Sequence, residues 1–205
     1  MGTSNLILKL LAKQQHKKSV SMQASAIKDQ NSILKKILKR GQKSLFTRQL
    51  CLPKTLTYNQ YANNVPITDY ELMLPYITKI SNGETNILTQ GAPKYFAITS
   101  GTTSGTKYIP ITKEMMVFQT QAIKELLLLY AHQSNTYSIS NVGMMFIQGS
   151  PELKYLNKIP YAKLSGIAAR HIPFFLKKNR YPSMKTNCIS DWNEKIKQIV
   201  EETYD

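Results

Sequence analysis

The chain has 205 residues, 42% hydrophobic and 19% charged, which suits one large domain with a buried core and excludes wholesale disorder. Its formal charge is +15, and residues 1–50 hold eleven Lys or Arg against one acid, Asp29, so +10 of that charge sits at the N-terminal end. No run of about 18 apolar residues occurs, which excludes a transmembrane helix.

The N-terminal "MGTSNLILKLLAKQQ" has too short an apolar run for a secretory signal, and Leu6 stands where a myristoylation signal needs Ser or Thr. A cytoplasmic chain is therefore expected. Cys51 and Cys188 make neither a disulfide framework nor a metal-ligand spacing. His16, His132 and His171 are scattered and form no zinc motif, so no metal site is expected. The basic N-terminal stretch could contact nucleic acid or an anionic membrane. Against nucleic acid stands the lack of stacking aromatics, Phe46 being the only one among the first 50 residues. Solvated helix faces explain the charge as well.

Taken in order, Ser4 or Asn5 can cap a first helix ending near Gln15, with "HKKSVSMQAS" as a polar connector. Residues 29–40 have helical apolar spacing at Ile33, Leu34, Ile37 and Leu38, with Gly41 as a stop. Such a helix can lie on a membrane surface or pack on its own domain. Thr68 and Glu71 stand in capping-box spacing at the start of another helix. Pro75 should bend or interrupt it, and Asn82-Gly83 should end it. "TNILT" (residues 85–89) reads as a short strand. Residues 95–98 and 108–111 read as strands, the second short or at an edge because of Pro110. Thr112 caps the helix that follows, residues 113–132, whose wide apolar face marks a core helix with Met115 and Met116 as packing. Residues 141–150 read as a buried strand and 164–171 as a helix stopped by Pro173. Ser190 caps a last helix with Trp192, Ile196, Ile199 and Val200 on one face. Helices first, then alternating strands and helices, indicate the α/β class.

Between the two strands lie nine residues, "TSGTTSGTK", with six hydroxyls, two glycines and one lysine. Glycines admit the backbone close to phosphate oxygens, consecutive amides form an anion nest, hydroxyls donate without adding negative charge, and lysine supplies a point charge. A flexible polar loop has the same composition. The two flanking strands argue for a structured turn. A Walker loop needs four residues between its glycines, with Lys directly after the second. Here three residues separate Gly101 from Gly105, and Thr106 precedes Lys107, so that motif is excluded.

The loop resembles the phosphate loop of the adenylate-forming enzymes, with Ser104-Gly105-Thr106 where the usual form has Gly, a variable residue and Pro before the Lys. That variant is similar to the auxin-responsive acyl-acid amido synthetase family. "VPITDYELMLPYITKISNGETNILTQGAPKYF" (residues 65–96) resembles the same family almost throughout, with weaker echoes in "QGS" (148–150) and "YPS…DWNEKI…EET" (181–203). The resemblance covers about residues 30–205.

The resemblance implies the N-terminal part of an adenylate-forming fold, a mixed sheet with packed helices and a helical N-terminus. A basic helical arm would span residues 1–45 and a partial adenylate-forming domain 46–205, with the phosphate loop at 99–107. It implies ATP-dependent joining of a small carboxylic acid to an amino acid through an acyl-adenylate, with Mg²⁺ accompanying ATP. Thr99, Ser100, Gly101, Thr102, Thr103, Ser104, Gly105 and Lys107 are the residues expected to bind the ATP phosphates. No catalytic residue and no Mg²⁺ ligand is assigned. Glu114 reads instead as a first-turn acid favoured by the helix dipole. The family's later nucleotide motifs and C-terminal lid are absent from these 205 residues, so the expectation is an N-terminal fragment that is inactive alone.

Overall fold

A computed structural model describes residues 3–99, 105–138, 142–172, 174–177 and 179–204. Its centre is a four-stranded mixed sheet. Strands β1 (Tyr95–Thr99) and β2 (Lys107–Ile111) form an antiparallel pair, β4 (Lys154–Leu156) and β5 (Ile159–Lys163) form another, and β1 runs parallel to β5. The order β2-β1-β5-β4 leaves β2 at an edge, where Pro110 costs no ladder hydrogen bond.

Alternation along β1 sends its side chains to two helix layers. Phe96 packs with Ile159 of β5 and with Ile77 and Ile80 of helix α4 (Tyr70–Ser81). Tyr95 and Ala97 pack on the opposite face with Met116 of α5 (Lys113–Gln133) and Ile167 of α6 (Leu164–Arg170). Burial on both faces explains why "YFAI" is an unbroken apolar run.

Helix α1 (Thr3–Gly41) forms a further layer outside α5. It is one helix of 39 residues, about 58 Å long. The connector expected at residues 16–25 does not exist. That stretch holds neither Gly nor Pro, and polar residues alone do not break a helix. Ala12 and Leu8 pack with Leu128 and Ala131 of α5, Lys18 meets Glu125 at 3.0 Å, and Arg40 approaches Glu114 at 3.9 Å. The two helices are thus antiparallel. His16 and His132, far apart in sequence, stack with ring centroids 4.3 Å apart.

Several local expectations shift. Asp69, and not Thr68, caps α4 by accepting the Leu72 amide, and Asp191, and not Ser190, caps α9 (Trp192–Thr203) by accepting that of Glu194. A carboxylate adds charge complementarity to the helix N-terminus that a hydroxyl lacks. Pro75 does not interrupt α4. The helix ends in a Schellman turn, with Gly83 at φ +94 donating to Ile80 and Glu84 donating to Lys79. "TNILT" is not a strand. Asn86 has positive φ and closes a loop with Gly91 through two hydrogen bonds. The strand expected over 141–150 shrinks to β3 (Met144–Met145), paired only with β6 (Arg180–Tyr181) and half-exposed at Met145; position 141 lies outside the described residues. Helix α6 is present, and Pro173, expected to stop it, also lies outside them. In α9 only Ile199 of the four expected apolar residues is buried.

The α2 (Leu45–Gln49) and α3 (Tyr58–Asn64) helices were not foreseen, although Thr57 and Gln60 form a full capping box.

Candidate phosphate-binding site

The candidate loop joins β1 to β2. Its described ends are Thr99, Gly105, Thr106 and Lys107; Ser100, Gly101, Thr102, Thr103 and Ser104 lie outside the described residues. Thr99 and Lys107 are register partners across the antiparallel pair, so the loop enters and leaves side by side. Gly105 has φ +78, and a Cβ built there meets nothing within 4 Å. Backbone conformation, and not crowding, is therefore what requires glycine at this position.

Lys107 is positioned by the first turn of α4. Its ammonium lies 5.1 Å from the Tyr70 ring centroid and 3.9 Å from a Glu71 carboxylate oxygen. The Tyr70 hydroxyl accepts the Tyr108 amide hydrogen at 2.9 Å, which occupies an edge-strand donor and fixes β2 to α4. Tyr108 in turn packs edge-on against Phe96 and Tyr161. Burial, followed by Tyr161 and Tyr70, pushes the Tyr108 phenol above its ordinary range, so it stays neutral. Because Asp69 caps α4, Glu71 is not needed as a cap partner and faces Lys107 instead. Sequence reasoning missed Tyr70. The signal available was Asp69-Tyr70-Glu71 inside the block that carried the resemblance.

The ion pair of Lys107 is solvent-exposed on the Glu71 side and hence weak and exchangeable. A phosphate can replace Glu71 as the partner of Lys107 without uncovering a buried charge. Glu114 pairs with Arg40 of α1, and hydrogen bonding to its own backbone amide at the helix start, with Thr112 and nearby Arg40, holds its carboxyl below the usual range. That is the first-turn acid expected of it. Among the described residues no three His, Cys, Asp or Glu side chains are grouped to hold a metal ion. No helix among them is long and apolar enough to cross a membrane. Cys51 and Cys188 are unpaired and exposed.

The weaker sequence echoes also come together. Lys195 of α9 donates to the Gln148 and Asn187 carbonyls, Arg180 donates to the Gln148 side chain, and Glu202 accepts the Ser183 amide. Gly166 of α6 lies against this turn: a Cβ there would fall 2.1 Å from the Ser150 carbonyl oxygen. "QGS", "YPS" and "DWNEKI…EET" are thus parts of one packed unit.

Residues 15–200 match the family described as the GH3 family N-terminal domain. The chain belongs to the GH3 family. The resemblance carried by the loop and residues 65–96 is borne out. Among relatives, a jasmonoyl-L-amino acid synthetase of Nicotiana attenuata is 25% identical over 166 residues, spanning 80% of this chain and 28% of that protein. An indole-3-acetic acid-amido synthetase of Arabidopsis thaliana is 34% identical over 100 residues, spanning 47% of this chain and 16% of that one. The fold resembles that of a GH3.15 acyl acid amido synthetase solved with 2,4-DB, with a TM-score of 0.72 at 19% identity, covering 87% of this chain and 32% of that structure. This GH3 chain therefore has the mixed α/β fold of the family's N-terminal region and spans less than a third of the length of these relatives.

Proposed function

We propose that the chain supplies the ATP phosphate-binding part of an acyl-acid amido synthetase, the activity for which its relatives are named. The observation that carries this reading is the pairing of Thr99 with Lys107 at the mouth of a glycine-, hydroxyl-rich loop closed by Gly105 at positive φ. Lys107 and the loop hydroxyls of Thr99, Ser100, Thr102, Thr103 and Ser104 hold the β- and γ-phosphates. They offset the charge that gathers on pyrophosphate when it leaves, which is electrostatic stabilisation by groups already in place. Gly101 and Gly105 admit the backbone to the phosphate oxygens. The ring of Tyr70 and the Tyr70–Tyr108 hydrogen bond keep the lysine at the mouth of the loop.

Mg²⁺ belongs to this reading as the companion of ATP. Among the described residues Lys107 pairs with the Glu71 carboxylate and no multi-carboxylate set is grouped to hold a metal ion, so the ion's protein ligands are not assigned. The acid and the amino acid substrates follow from the relatives' names alone.

Equilibrium binding of ATP, ADP and AMP to the 205-residue chain tests the reading. Affinity is expected to fall in the order ATP, ADP, AMP, because the loop holds the two outer phosphates. Equal affinities, or no binding of ATP, would overturn it.

A further inference from the structure

Three cations that the candidate loop does not use meet elsewhere in the fold. A cavity of about 160 Å³ opens between the C-terminal end of α6, α7 (Phe174–Lys177) and the turn from β6 into α8 (Met184–Asn187). Arg170, Lys177, Arg180 and Ser183 line it, and no carboxylate does. Arg170 and Lys177 are exposed, whereas Arg180 is partly buried. The Arg180 guanidinium donates to neutral acceptors: the Ala169 carbonyl at 3.3 Å, the Gln148 side chain at 3.1 Å and the Met184 sulfur at 2.9 Å. Its Nε is buried and has no partner. Arg170 likewise donates to a carbonyl, that of Pro151. Among the described residues none of the three cations has an ion-pair partner. Glu202 of α9 also reaches this turn, but its oxygens accept from the Ser183 amide and the Thr186 hydroxyl.

Positive charge gathered without a counter-charge costs more the more it is buried. Burial accordingly lowers the hold of the Arg180 guanidinium on its proton. An anion in the cavity would offset that cost. Three like charges suit a dianion better than a single carboxylate, and two guanidinium forks, an ammonium and a hydroxyl match tetrahedral oxygens. The cavity is also separate from the candidate loop. His171, next to Arg170, bonds the hydroxyl of Tyr95 at the first residue of β1, whereas the loop leaves β1 at Thr99. Four steps along the strand, about 13 Å, lie between those ends.

We propose that this cavity is a second anion site, which binds the phosphate group of free phosphate or of a small phosphomonoester between Arg170, Lys177 and Arg180. An adjoining cleft of about 510 Å³ shares Arg170 and Met184 with it and is walled by Leu153, Tyr155, Glu152 and Lys185. That cleft offers room for the organic part of an ester. The proposal is independent of the reading of the loop.

The test titrates inorganic phosphate and phenyl phosphate into the 205-residue chain by calorimetry, at constant ionic strength set with sodium chloride. Wild type and Lys107→Ala are compared, and the binding that Lys107→Ala retains is the one assigned to this cavity. It is expected to be saturable, with one anion per chain. The double variant Arg170→Gln with Lys177→Gln should weaken it at least about tenfold while melting within about 2 °C of wild type, since both side chains are exposed. If the double variant melts early, Lys177→Gln alone should weaken it about threefold or more. Tighter binding of phenyl phosphate assigns the site to an ester, and equal or weaker binding assigns it to free phosphate. No saturable binding, binding that Lys107→Ala abolishes, or binding indifferent to the Arg170 and Lys177 substitutions overturns the proposal.

Discussion

The hydroxyl of Tyr70 accepts the amide hydrogen of Tyr108, and the ring of the same tyrosine lies under the ammonium of Lys107. One side chain at the start of α4 therefore fixes both the edge strand and the cation that follows the candidate loop. Tyr70→Phe removes only the hydrogen bond and should cost about 1 kcal/mol of stability, read from urea unfolding. It should leave ATP affinity within about threefold of wild type, an energy difference under one kcal/mol. Tyr70→Ala also removes the ring and should weaken ATP binding further.

Glu71 competes with phosphate for Lys107. Glu71→Gln leaves the lysine without its ion pair, at little cost in stability because the pair is exposed. ATP affinity measured by calorimetry should rise or stay level. A large fall would mean that Glu71 holds Lys107 in place for the nucleotide.

Gly105→Ala should cost about 1–2 kcal/mol, since an L-residue is strained at φ +78 even with open space around it. Gly105→Asn should cost less, because Asn tolerates that region better. Gly166→Ala is a different case. Its added Cβ runs into the Ser150 carbonyl oxygen, so α6 and the 148–150 turn must separate. A loss of about 2–4 kcal/mol is expected, with a clear fall in melting temperature.

His171 shares a 3.0 Å hydrogen bond with the Tyr95 hydroxyl. Burial, then Lys94 and the neighbouring cations Arg170 and Lys177, lower its affinity for a proton. The unfolded chain thus binds the proton more readily than the folded one. Stability is fully present above the ordinary imidazole range, near 6.5, and falls as the pH drops below it. Melting temperatures measured from pH 7.5 to 5 should show this decline, and His171→Phe should flatten it. An unchanged slope in the variant would assign the decline to other groups.

Much of the fold was legible because its signals are local. The β1 and β2 strands, the Thr112 cap, α5 and the edge position of Pro110 all follow from periodicity and backbone chemistry within a few residues. What was illegible depends on partners distant in sequence. The packing of α1 on α5 joins residues more than 70 positions apart, as Lys18 and Glu125 show. The loop of residues 86–91 has the composition of a strand but is closed by an Asn86 side chain that bonds back to Gly91. In α5 the apolar residues are spread over a wide arc, and sequence alone read them all as core. Only the packing shows that Met115, Phe118 and Leu126 of that arc face outward. At the site, composition located the loop and its lysine, whereas Tyr70 acts across 38 residues through a contact that no spacing rule announces.

The central claim, that Lys107 and its loop hold the phosphates of ATP, is tested most directly by one comparison. The 205-residue chain and its Lys107→Ala variant are each melted with and without excess ATP and Mg²⁺. Ligand that binds only the folded state must raise its melting temperature. A rise in the wild-type chain that disappears in Lys107→Ala, with the two apo proteins melting alike, is the predicted result. No rise in wild type, or an equal rise in both proteins, would contradict the account.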